Sequence, residues 1–500
     1  MRTLAMFFVC SVVLSSAVVH AQTLPDEIAT LIPGAAAADD EVGAAVSVSG
    51  DVAIVGARAA GTNFTGAATI YRRIDGVWQE EQHLVGNPND NVQLFGFAVL
   101  IEGDTAFIGA PLFDLGSVNR GVVRVYEYDG STWSLAQSIS PQNPASRGFG
   151  SALDLSGDTL IVGEPSTMIG GPNVGAASIY RYEAPNWVPG GLLLRAAGNI
   201  GDQLGTSVAI SGDVACVGAP GVDLPGINSG GAVTFFEFDG TIWNEGETLP
   251  PSSPSGGRFG FAVALDGSRA IVGADEADSA VGSETGSVSI YERQGTNWVL
   301  QQLLTPDDAT VGSAFGGSIA LHGDDLFVGA RNQGLAGTGG PGAAYRYRSS
   351  GGDWVPDGSI TAESSALGDD FGFALSYDGE TLLVGAPLDD TAAGSDSGSA
   401  RVIQVNSGES FVRGDANRDG DIDIADAVWI HNHLFPVLGP TPLPCELAAD
   451  ANDDEVVDLG DVLRILEWLF VVGEPPLAPP GCGTDPTPGA LSCDLLSDCH

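Results

Sequence analysis

Oxygen-bearing side chains near the C-terminus follow a spacing that can bind a metal ion. They occupy the first, third, fifth, ninth and twelfth positions of a twelve-residue segment, as Asp415, Asn417, Asp419, Asp423 and Asp426. Gly420 stands at the sixth position, where such a loop turns sharply, and Asp421 at the seventh would contribute its backbone carbonyl. Calcium takes six to eight oxygen ligands, and this spacing wraps a short chain around one ion. The segment is therefore predicted to bind Ca2+.

The same pattern returns 35 residues further along the chain. Its side-chain ligands would be Asp450, Asn452, Asp454, Asp458 and Asp461, and Val456 would offer the backbone carbonyl. Glu455 replaces the glycine at the sixth position, which costs on the order of 1 kcal/mol if the loop keeps a positive φ there. We therefore expect a second Ca2+ site that is weaker than the first.

The elements that would hold these loops are two short helices, predicted at residues 427–435 and 462–470. A duplicated unit of one calcium loop and one helix resembles a type I dockerin, and the match covers about residues 411–472. The resemblance implies a small α-helical domain with EF-hand-type loops that docks onto a cohesin-like module of another protein. It places the docking surface on Ile424, Ala425, Val428, Trp429 and His431, and on Leu459, Gly460, Leu463, Arg464 and Trp468. The alternative is that the apolar members of this set pack the two helices together.

Nearly all of the chain before residue 410 repeats one 17-residue segment, of which FGFAVLIEGDTAFIGAP at residues 95–111 is typical. The seven copies begin 53 to 56 residues apart, at Val42, Phe95, Phe149, Leu204, Phe259, Phe315 and Phe371. Self-similarity at this period indicates units that cannot bury their apolar faces alone and must stack on one another.

Each repeat is predicted to form four antiparallel strands. Apolar residues alternate in the first half of a copy, and a two-residue turn such as Gly50-Asp51 leads into an apolar run, which is the pattern of a hairpin. A third strand opens at a glycine, as in GAATIYRR from Gly66, and a fourth follows a tryptophan twelve residues later. Seven four-stranded sheets can bury their faces by radial packing, which predicts an all-β, seven-bladed β-propeller.

The ends of the repeat array predict how the ring closes. The seventh copy has a third strand from Gly398, but Ser410 stands where the tryptophan is expected. Residues 27–32, before the first copy, form an apolar segment that belongs to no other strand of the pattern. We expect this segment to supply the outermost strand of the seventh blade and to leave no open edge.

The copies resemble FG-GAP repeats, the blades of integrin α-subunit propellers and of many secreted bacterial proteins, over roughly residues 24–408. In integrin-type blades the turn after the FG strand is often a calcium loop with the pattern D-x-D-x-D-G. The seven turns here are short and lack that pattern. We therefore predict no integrin-like calcium site in the propeller.

The N-terminus predicts export. Residues 1–21 combine an early arginine, an apolar core and a small-residue end, as in a cleaved signal peptide. Four cysteines near the C-terminus suggest two disulfides with three open pairings: Cys445, Cys482, Cys493 and Cys499. Cys216 lies alone in an apolar strand and is expected to pack in the core. The predicted domains are the signal peptide (1–21), the propeller (22–408), the dockerin-like calcium-binding domain (411–472) and a Pro- and Cys-rich tail (473–500).

The chain carries 64 acidic and 19 basic residues, a formal net charge of -45. Such a surface repels nucleic-acid phosphates and anionic lipid, so no nucleic-acid partner is expected. After residue 21 no run reaches about 18 uninterrupted apolar residues, so no membrane span is expected either.

Acidic residues also gather just before the FG strands, at Asp39, Asp40, Asp90, Asp202, Asp307, Asp308, Asp369 and Asp370. Strand alternation puts them at the same end of the ring as the long loops that follow each Gly-Ala, and the short hairpins at the other end. The long-loop end is the candidate surface for a glycan or protein ligand. For any single one of these residues, an Asx turn or a solvated loop is the better interpretation.

These features predict a secreted, non-enzymatic binding or scaffold protein, outside the cell or on its surface, attached to a cohesin-like protein or a cell-surface component. One alternative is a dockerin-tethered enzyme acting on polysaccharides. Against it, we find in the sequence no blade with a His, Tyr, Arg or paired-carboxylate set that breaks the repeat, which is where grafted chemistry usually shows. The other alternative is a structural surface protein whose calcium loops have no cohesin partner.

Overall fold

The structure is a computed structural model. It describes residues 27–86, 93–113, 119–170, 173–253, 255–334, 340–350, 352–362, 366–405, 416, 422, 424–435, 449–451 and 457–470. The predicted signal peptide, the four C-terminal cysteines and the tail from residue 473 lie outside these residues. Two regions are described: an array of β-strands from Glu27 to Gln404, and a helical module that begins at Ala416.

The strands form seven antiparallel sheets of four, which are the seven predicted blades. The innermost strands are β2 (Val42–Ser49), β6 (Ala98–Glu102), β10 (Ala152–Ser156), β14 (Val208–Ser211), β18 (Ala262–Asp266), β22 (Phe315–His322) and β26 (Ala374–Tyr377). The second strands are β3 (Val52–Ala57), β7 (Thr105–Ala110), β11 (Thr159–Glu164), β15 (Val214–Ala219), β19 (Arg269–Ala274), β23 (Asp325–Ala330) and β27 (Thr381–Ala386).

The third strands are β4 (Ala67–Ile74), β8 (Val122–Tyr128), β12 (Ala176–Glu183), β16 (Ala232–Phe238), β20 (Ser287–Gln294), β24 (Ala343–Ser350) and β28 (Ser399–Gln404). The outermost strands are β5 (Val77–Val85), β9 (Trp133–Ile139), β13 (Asn186–Leu193), β17 (Trp243–Leu249), β21 (Asn297–Leu304), β25 (Asp353–Ile360) and, in blade 7, β1 (Glu27–Leu31). Each innermost strand contacts the innermost strands of both neighbouring blades, and β26 contacts β2. The blades therefore form a closed ring around a central axis.

The glycines that give the repeat its pattern lie where neighbouring blades touch. A Cβ on Gly56, at the end of β3, would overlap the carbonyl oxygen of Gly96 at the start of blade 2. A Cβ on Gly96 would in turn overlap the carbonyl oxygen of Ala67 in blade 1. Only glycine lets the two backbones approach this closely. The contact recurs at every interface of the ring, in the pairs Gly56 with Gly96, Gly109 with Gly150, Gly163 with Gly205, Gly218 with Gly260, Gly273 with Gly316, Gly329 with Gly372, and Gly385 with Gly43.

The repeated tryptophan has a similar role at the outer rim. The side-chain amide of Gln82 in β5 donates to the Trp133 carbonyl at 2.8 Å and accepts from the Trp133 amide at 2.8 Å. Gln137 makes the same pair of bonds to Trp187, and Gln302 makes it to Trp354. The outer strands are thus joined blade to blade by side chains. Cys216 is buried in the core, as predicted.

The N-terminal segment closes the ring as predicted. Strand β1 pairs antiparallel with β28, with Leu31 opposite Ala400. Arg401 fixes it by donating to Glu27 Oε1 and Thr30 Oγ1, each at 2.9 Å, and to Asp389 Oδ2 at 2.7 Å. Arg401 and Asp389 are both buried, so the closure includes a desolvated ion pair. Removing one partner of such a pair leaves a buried charge unpaired and is strongly destabilising.

The described part of the C-terminal module contains two helices, α1 (Ile424–Leu434) and α2 (Leu459–Phe470). Each begins three residues earlier than predicted, so that Asp426 and Asp461 fall in the first turn, where an acidic side chain suits the helix dipole. The helices pack on each other through Ile430 and Ile465, both fully buried. Of the helices in the described part of the chain, none is long and apolar enough to span a membrane.

Candidate functional site

The loops confirm the predicted division of the propeller into two faces. The two-residue turns after the innermost strands lie at one end of the ring. The long loops after the second strands lie at the other end, together with the links between blades. Leu94 N, in the link before blade 2, donates to Phe64 O in the long loop of blade 1 at 2.8 Å, and Arg258 N donates to Ser229 O at 3.1 Å. We call this end the long-loop face.

Three residues of each blade lie on this face where the innermost strand begins, next to the axis. The residue immediately before the FG pair has a positive φ in all seven blades: Glu41, Leu94, Gly148, Gln203, Arg258, Ala314 and Asp370. The residue immediately after the FG pair is Ala44, Phe97, Ser151, Thr206, Phe261, Gly317 or Phe373. The residue after Gly-Ala, or after Gly-Glu in blade 3, is Arg58, Pro111, Pro165, Pro220, Asp275, Arg331 or Pro387.

Blades 7, 1 and 2 meet at Arg58. Its guanidinium carbon lies 5.2 Å from the ring centroid of Phe373 in blade 7 and 5.8 Å from that of Phe97 in blade 2. Its Nε donates to Glu41 Oε2 at 2.5 Å. Arginine faces aromatic rings favourably because the ring face is electron-rich. Arg58 therefore links three blades on the axial side of the seam that β1 closes at the outer rim.

Blades 5 and 6 meet at Asp275, whose side chain is fully buried. Arg331 donates to Asp275 Oδ2 at 3.2 Å, and Arg258 Nε lies 3.6 Å from Asp275 Oδ1. Arg258 also donates to Glu276 Oε1 at 2.7 Å and stacks over Phe261 at 4.0 Å. Burial raises the pKa of the Asp275 carboxyl even though both arginines act in the opposite direction.

Asp370 of blade 7 shares a turn with the ring that Arg58 faces, because the Asp370 carbonyl accepts the Phe373 N–H at 3.0 Å. Burial raises the pKa of Asp370 to about 6, Arg331 and Arg58 lower it, and the neighbouring Asp369 raises it further. We call Glu41, Arg58, Phe97, Arg258, Phe261, Asp275, Glu276, Arg331, Asp370 and Phe373 the axial cluster.

The opposite side of the axis has no comparable chemistry among its described residues. In blades 3 and 4 the corresponding residues carry no charge: they are Gly148, Ser151, Pro165, Gln203, Thr206 and Pro220. Ser151 Oγ donates to the Gly148 carbonyl at 2.6 Å, and Thr206 Oγ1 donates to the Gln203 carbonyl at 2.8 Å. These hydroxyls stabilise their own turns. The axial cluster therefore occupies one arc of the ring.

The expectation that no blade breaks the repeat pattern is wrong on this arc. Arg58, Asp275 and Arg331 stand where the other four blades have proline, and they meet residues of neighbouring blades. The signal was present in the sequence, because three of the seven copies end in GAR or GAD. The sequence could not show that these residues share one surface, because blades 7 and 1 become neighbours only when the ring closes.

The interpretation of the acidic link residues as turn-forming is confirmed at three positions. Asp40, Asp202 and Asp369 are buried, and each accepts a hydrogen bond from the backbone N–H three residues earlier. The Asp40 and Asp202 bonds measure 2.7 and 2.8 Å. These carboxylates therefore stabilise the links between blades. Asp90 lies outside the described residues.

The C-terminal module shows where part of the predicted docking surface lies. Large apolar side chains of the set are exposed: Ile424 by 54%, Val428 by 51%, Trp429 by 36%, Leu459 by 47% and Leu463 by 60%. Ala425 and His431 are also exposed, and Gly460 and Arg464 are half-buried. The helices are packed instead by other residues, so the alternative that these side chains form the helix interface does not hold for the exposed ones. The Trp468 side chain lies outside the described part.

The predicted metal ligands are described only in part. Asp426 and Asp461 are fully buried, Asp450 is 2% exposed, and Asp458 is exposed. Asp461 Oδ2 accepts the Asp458 N–H at 2.7 Å. Asp415, Asn417, Asp419, Asp421, Asp423, Asn452, Asp454 and Val456 lie outside the described residues, as do Gly420 and Glu455. Within the described ranges, no three His, Cys, Asp or Glu side chains come together as metal ligands.

Comparison with known proteins places the repeats in a family. The FG-GAP repeat matches residues 25–71, 193–235, 243–291, 298–347 and 354–403. Parts of five of the seven blades therefore match the FG-GAP repeat. The matched segments leave out residues 72–192, where blades 2 and 3 nevertheless have the same four strands and the same glycine contacts.

Other comparisons add little. No match is found among curated proteins. Among solved structures, the chain is similar to a Bacteroides uniformis protein assigned as a 6-phosphogluconolactonase, with 11% identity and a TM-score of 0.45. The similarity covers 65% of this chain and 86% of the other. At this level it carries no inference about activity.

Proposed function

We propose that this chain is an exported, non-enzymatic binding protein whose FG-GAP propeller binds a ligand on its long-loop face and whose dockerin-like module attaches it to a cohesin-like partner. The observation that carries the attachment is the exposure of Ile424, Val428, Leu459 and Leu463 at the starts of two packed helices. Apolar side chains gathered on a small domain commonly mark a surface that another protein covers.

The burial pattern of the module supports this role. Ala427, Ile430, Val462 and Ile465 face the partner helix and are buried, so the helices already have a core without the exposed residues. The two halves of the module present equivalent positions, because the sequence of loop and helix is duplicated. A cohesin-like partner that covers either half would remove apolar side chains from water, at about 25 cal/mol for each Å² buried.

The acidic side chains of the module fit calcium. Asp426 and Asp461, at the twelfth positions of the two loops, are fully buried, and Asp450, at the first position of the second loop, is 2% exposed. A buried carboxylate needs a cation or several donors to offset its lost hydration. Bound Ca2+ would supply that positive charge. The first site would be held by Asp415, Asn417, Asp419, Asp421, Asp423 and Asp426, and the second by Asp450, Asn452, Asp454, Val456, Asp458 and Asp461.

Binding of the full chain to a panel of immobilised type I cohesin modules tests the attachment, with calcium and with EDTA. We expect at least one module to bind in calcium alone, and the double substitution Val428→Asp and Leu463→Asp to weaken that binding more than 100-fold. Leu135→Asp is the matched control, since Leu135 is an exposed leucine on the propeller rim. Binding that survives EDTA or the double substitution would contradict the proposal.

A further inference from the structure

Several hydrogen-bond donors and one carboxylate acceptor of the axial cluster have no hydrogen-bond partner among the described residues. A guanidinium carries five N–H groups. Within the described residues Arg58 donates one hydrogen bond, to Glu41, and Arg331 donates one, to Asp275. The Asp370 carboxylate accepts none from those residues and has no ion-pair partner among them. These three residues are half-buried, and their remaining donors and acceptor are open to a ligand.

The charges of the cluster nearly cancel. Three arginines pair with three carboxylates: Arg58 with Glu41, Arg258 with Glu276, and Arg331 with Asp275. Asp370 is the fourth carboxylate, and burial raises its pKa. A cationic ligand would satisfy Asp370 alone and meet three arginines. An anionic ligand would suit the arginines but meet four carboxylates and the chain's overall charge of -45.

A second feature of the cluster is its exposed aromatic surface. Phe97, Phe261 and Phe373 are each half-buried, while the FG phenylalanines two residues before them are fully buried. The half-buried rings therefore leave part of their surface beside the arginines and Asp370. Ring surface next to planar donors and acceptors can bind a molecule that has an apolar C–H face and polar edges.

We propose that the axial cluster is a binding site for a neutral saccharide. Neighbouring sugar hydroxyls accept from a guanidinium and donate to a carboxylate at the same time, so one uncharged ligand satisfies Arg58, Arg331 and Asp370 together. The C–H face of the pyranose ring covers the phenylalanine rings. A neutral ligand also avoids the repulsion that an acidic polysaccharide meets. This inference rests on the proposed binding function of the propeller and names its ligand class.

Affinity electrophoresis of the full chain in calcium tests the site, in gels that contain xylan, mixed-linkage β-glucan, glucomannan or galactan, with polygalacturonate as the acidic probe. Asp370→Asn and Phe373→Ala are the site variants. Asn tolerates the positive φ of Asp370, so the fold should be kept. The controls are Asp266→Asn, an exposed aspartate at the end of β18 on the opposite face, and Phe64→Ala, an exposed phenylalanine that is not part of the axial cluster.

We expect at least one neutral polysaccharide to retard the wild type, with a tenfold or greater loss of affinity in both site variants and less than a twofold change in the controls. Raising NaCl from 50 to 500 mM should change the affinity less than twofold, because no net charge is paired. Retardation by polygalacturonate alone, or retention of binding by Asp370→Asn, would overturn the proposal.

A random peptide library selected on the same protein separates this inference from the proposed function. Peptides that bind the wild type but not Asp370→Asn, with no neutral polysaccharide bound, would refute the saccharide site and leave a protein-binding propeller. If neither polysaccharides nor peptides bind, the saccharide site and the binding role of the propeller both fail.

Discussion

The propeller and the C-terminal module differ in the interactions that compensate for the conformational entropy lost on folding. The propeller has seven large core clusters between its blades, rich in Phe, Tyr, Trp, Ile and Val. The described core of the module is one cluster of seven buried residues, four of which are alanine. We expect packing to stabilise the propeller and bound calcium to supply much of the stability of the module.

Removing calcium should have the largest effect and should separate the two regions. Without metal, the carboxylates of each twelve-residue loop repel one another, so the free energy of metal binding becomes free energy of folding. We expect EDTA to abolish the calorimetric transition of residues 411–472 in the full chain and to shift the propeller transition by less than about 2 °C. A chelator-insensitive module would contradict the calcium assignment, and a large shift of the propeller would contradict the division.

The two calcium loops can be compared in the same experiment. Asp415→Ala should lower the melting temperature of the module more than Asp450→Ala, because Glu455 already weakens the second loop. Equal effects would show that the Glu455 loop binds as well as the first.

Removal of the closing strand β1 should have the next largest effect on stability. We expect this effect to be confined to the propeller. Deleting residues 22–34 removes β1 and leaves Arg401 without its partners Glu27 and Thr30. The third strand of blade 7 becomes an open edge. We expect the propeller to melt about 10 °C lower or more, with no change in the module. Deletion of residues 22–25 alone is the control, and an unchanged melt of the longer deletion would refute closure by β1.

Much of the fold could be predicted from the sequence because the repeat makes each strand visible seven times. The glycine at each end of the repeated segment, the tryptophan and the unpaired segment before Val42 together predict the ring and its closure. Three structural facts were less accessible. The helices begin three residues early because the twelfth ligand position belongs to the first turn. Arg58 and Phe373 lie in different blades and meet through closure. The packing of Ile430 and Ile465, rather than Val428 and Leu463, is set by a helix rotation that the pattern leaves open.

A single inter-blade glycine tests whether packing alone stabilises the propeller. In Gly218→Ala the new methyl group would overlap the carbonyl oxygen of Gly260, which is backbone and cannot move aside. We expect a loss of about 3 kcal/mol or more in the free energy of unfolding of the propeller. Gly212→Ala is the control: its Cβ meets no atom within 4 Å but its φ is +56°. It should cost only about 1 kcal/mol. Equal costs in chemical denaturation would show that the glycines act through backbone conformation and not through blade contact.

The smallest expected effect concerns one inter-blade hydrogen bond and its dependence on pH. Asp154 in β10 accepts the Ile210 N–H of blade 4 at 2.7 Å, at the position where Ser47 in β2 accepts the Ile101 N–H at 3.0 Å. Burial raises the pKa of Asp154 to about 6 from its ordinary 3.8, against the hydrogen bonds that it accepts. The folded protein therefore holds the proton more tightly than the unfolded chain between pH 4 and 6.

Since the folded state binds more protons in that window, stability falls as the pH rises through it. The Asp154 contribution is fully present below pH 4 and is lost above about pH 6. Asp154→Ser supplies the hydroxyl that blade 1 uses and removes the ionisation. Between pH 4 and pH 8, the free energy of unfolding of the propeller should fall by on the order of 1–2 kcal/mol less in this variant than in the wild type. Urea denaturation of the propeller transition at each pH measures the difference. Asp158→Ser, at an exposed turn of the same blade, should leave the wild-type pH dependence unchanged. If the two variants behave alike, the carboxylate of Asp154 does not oppose the packing of blades 3 and 4.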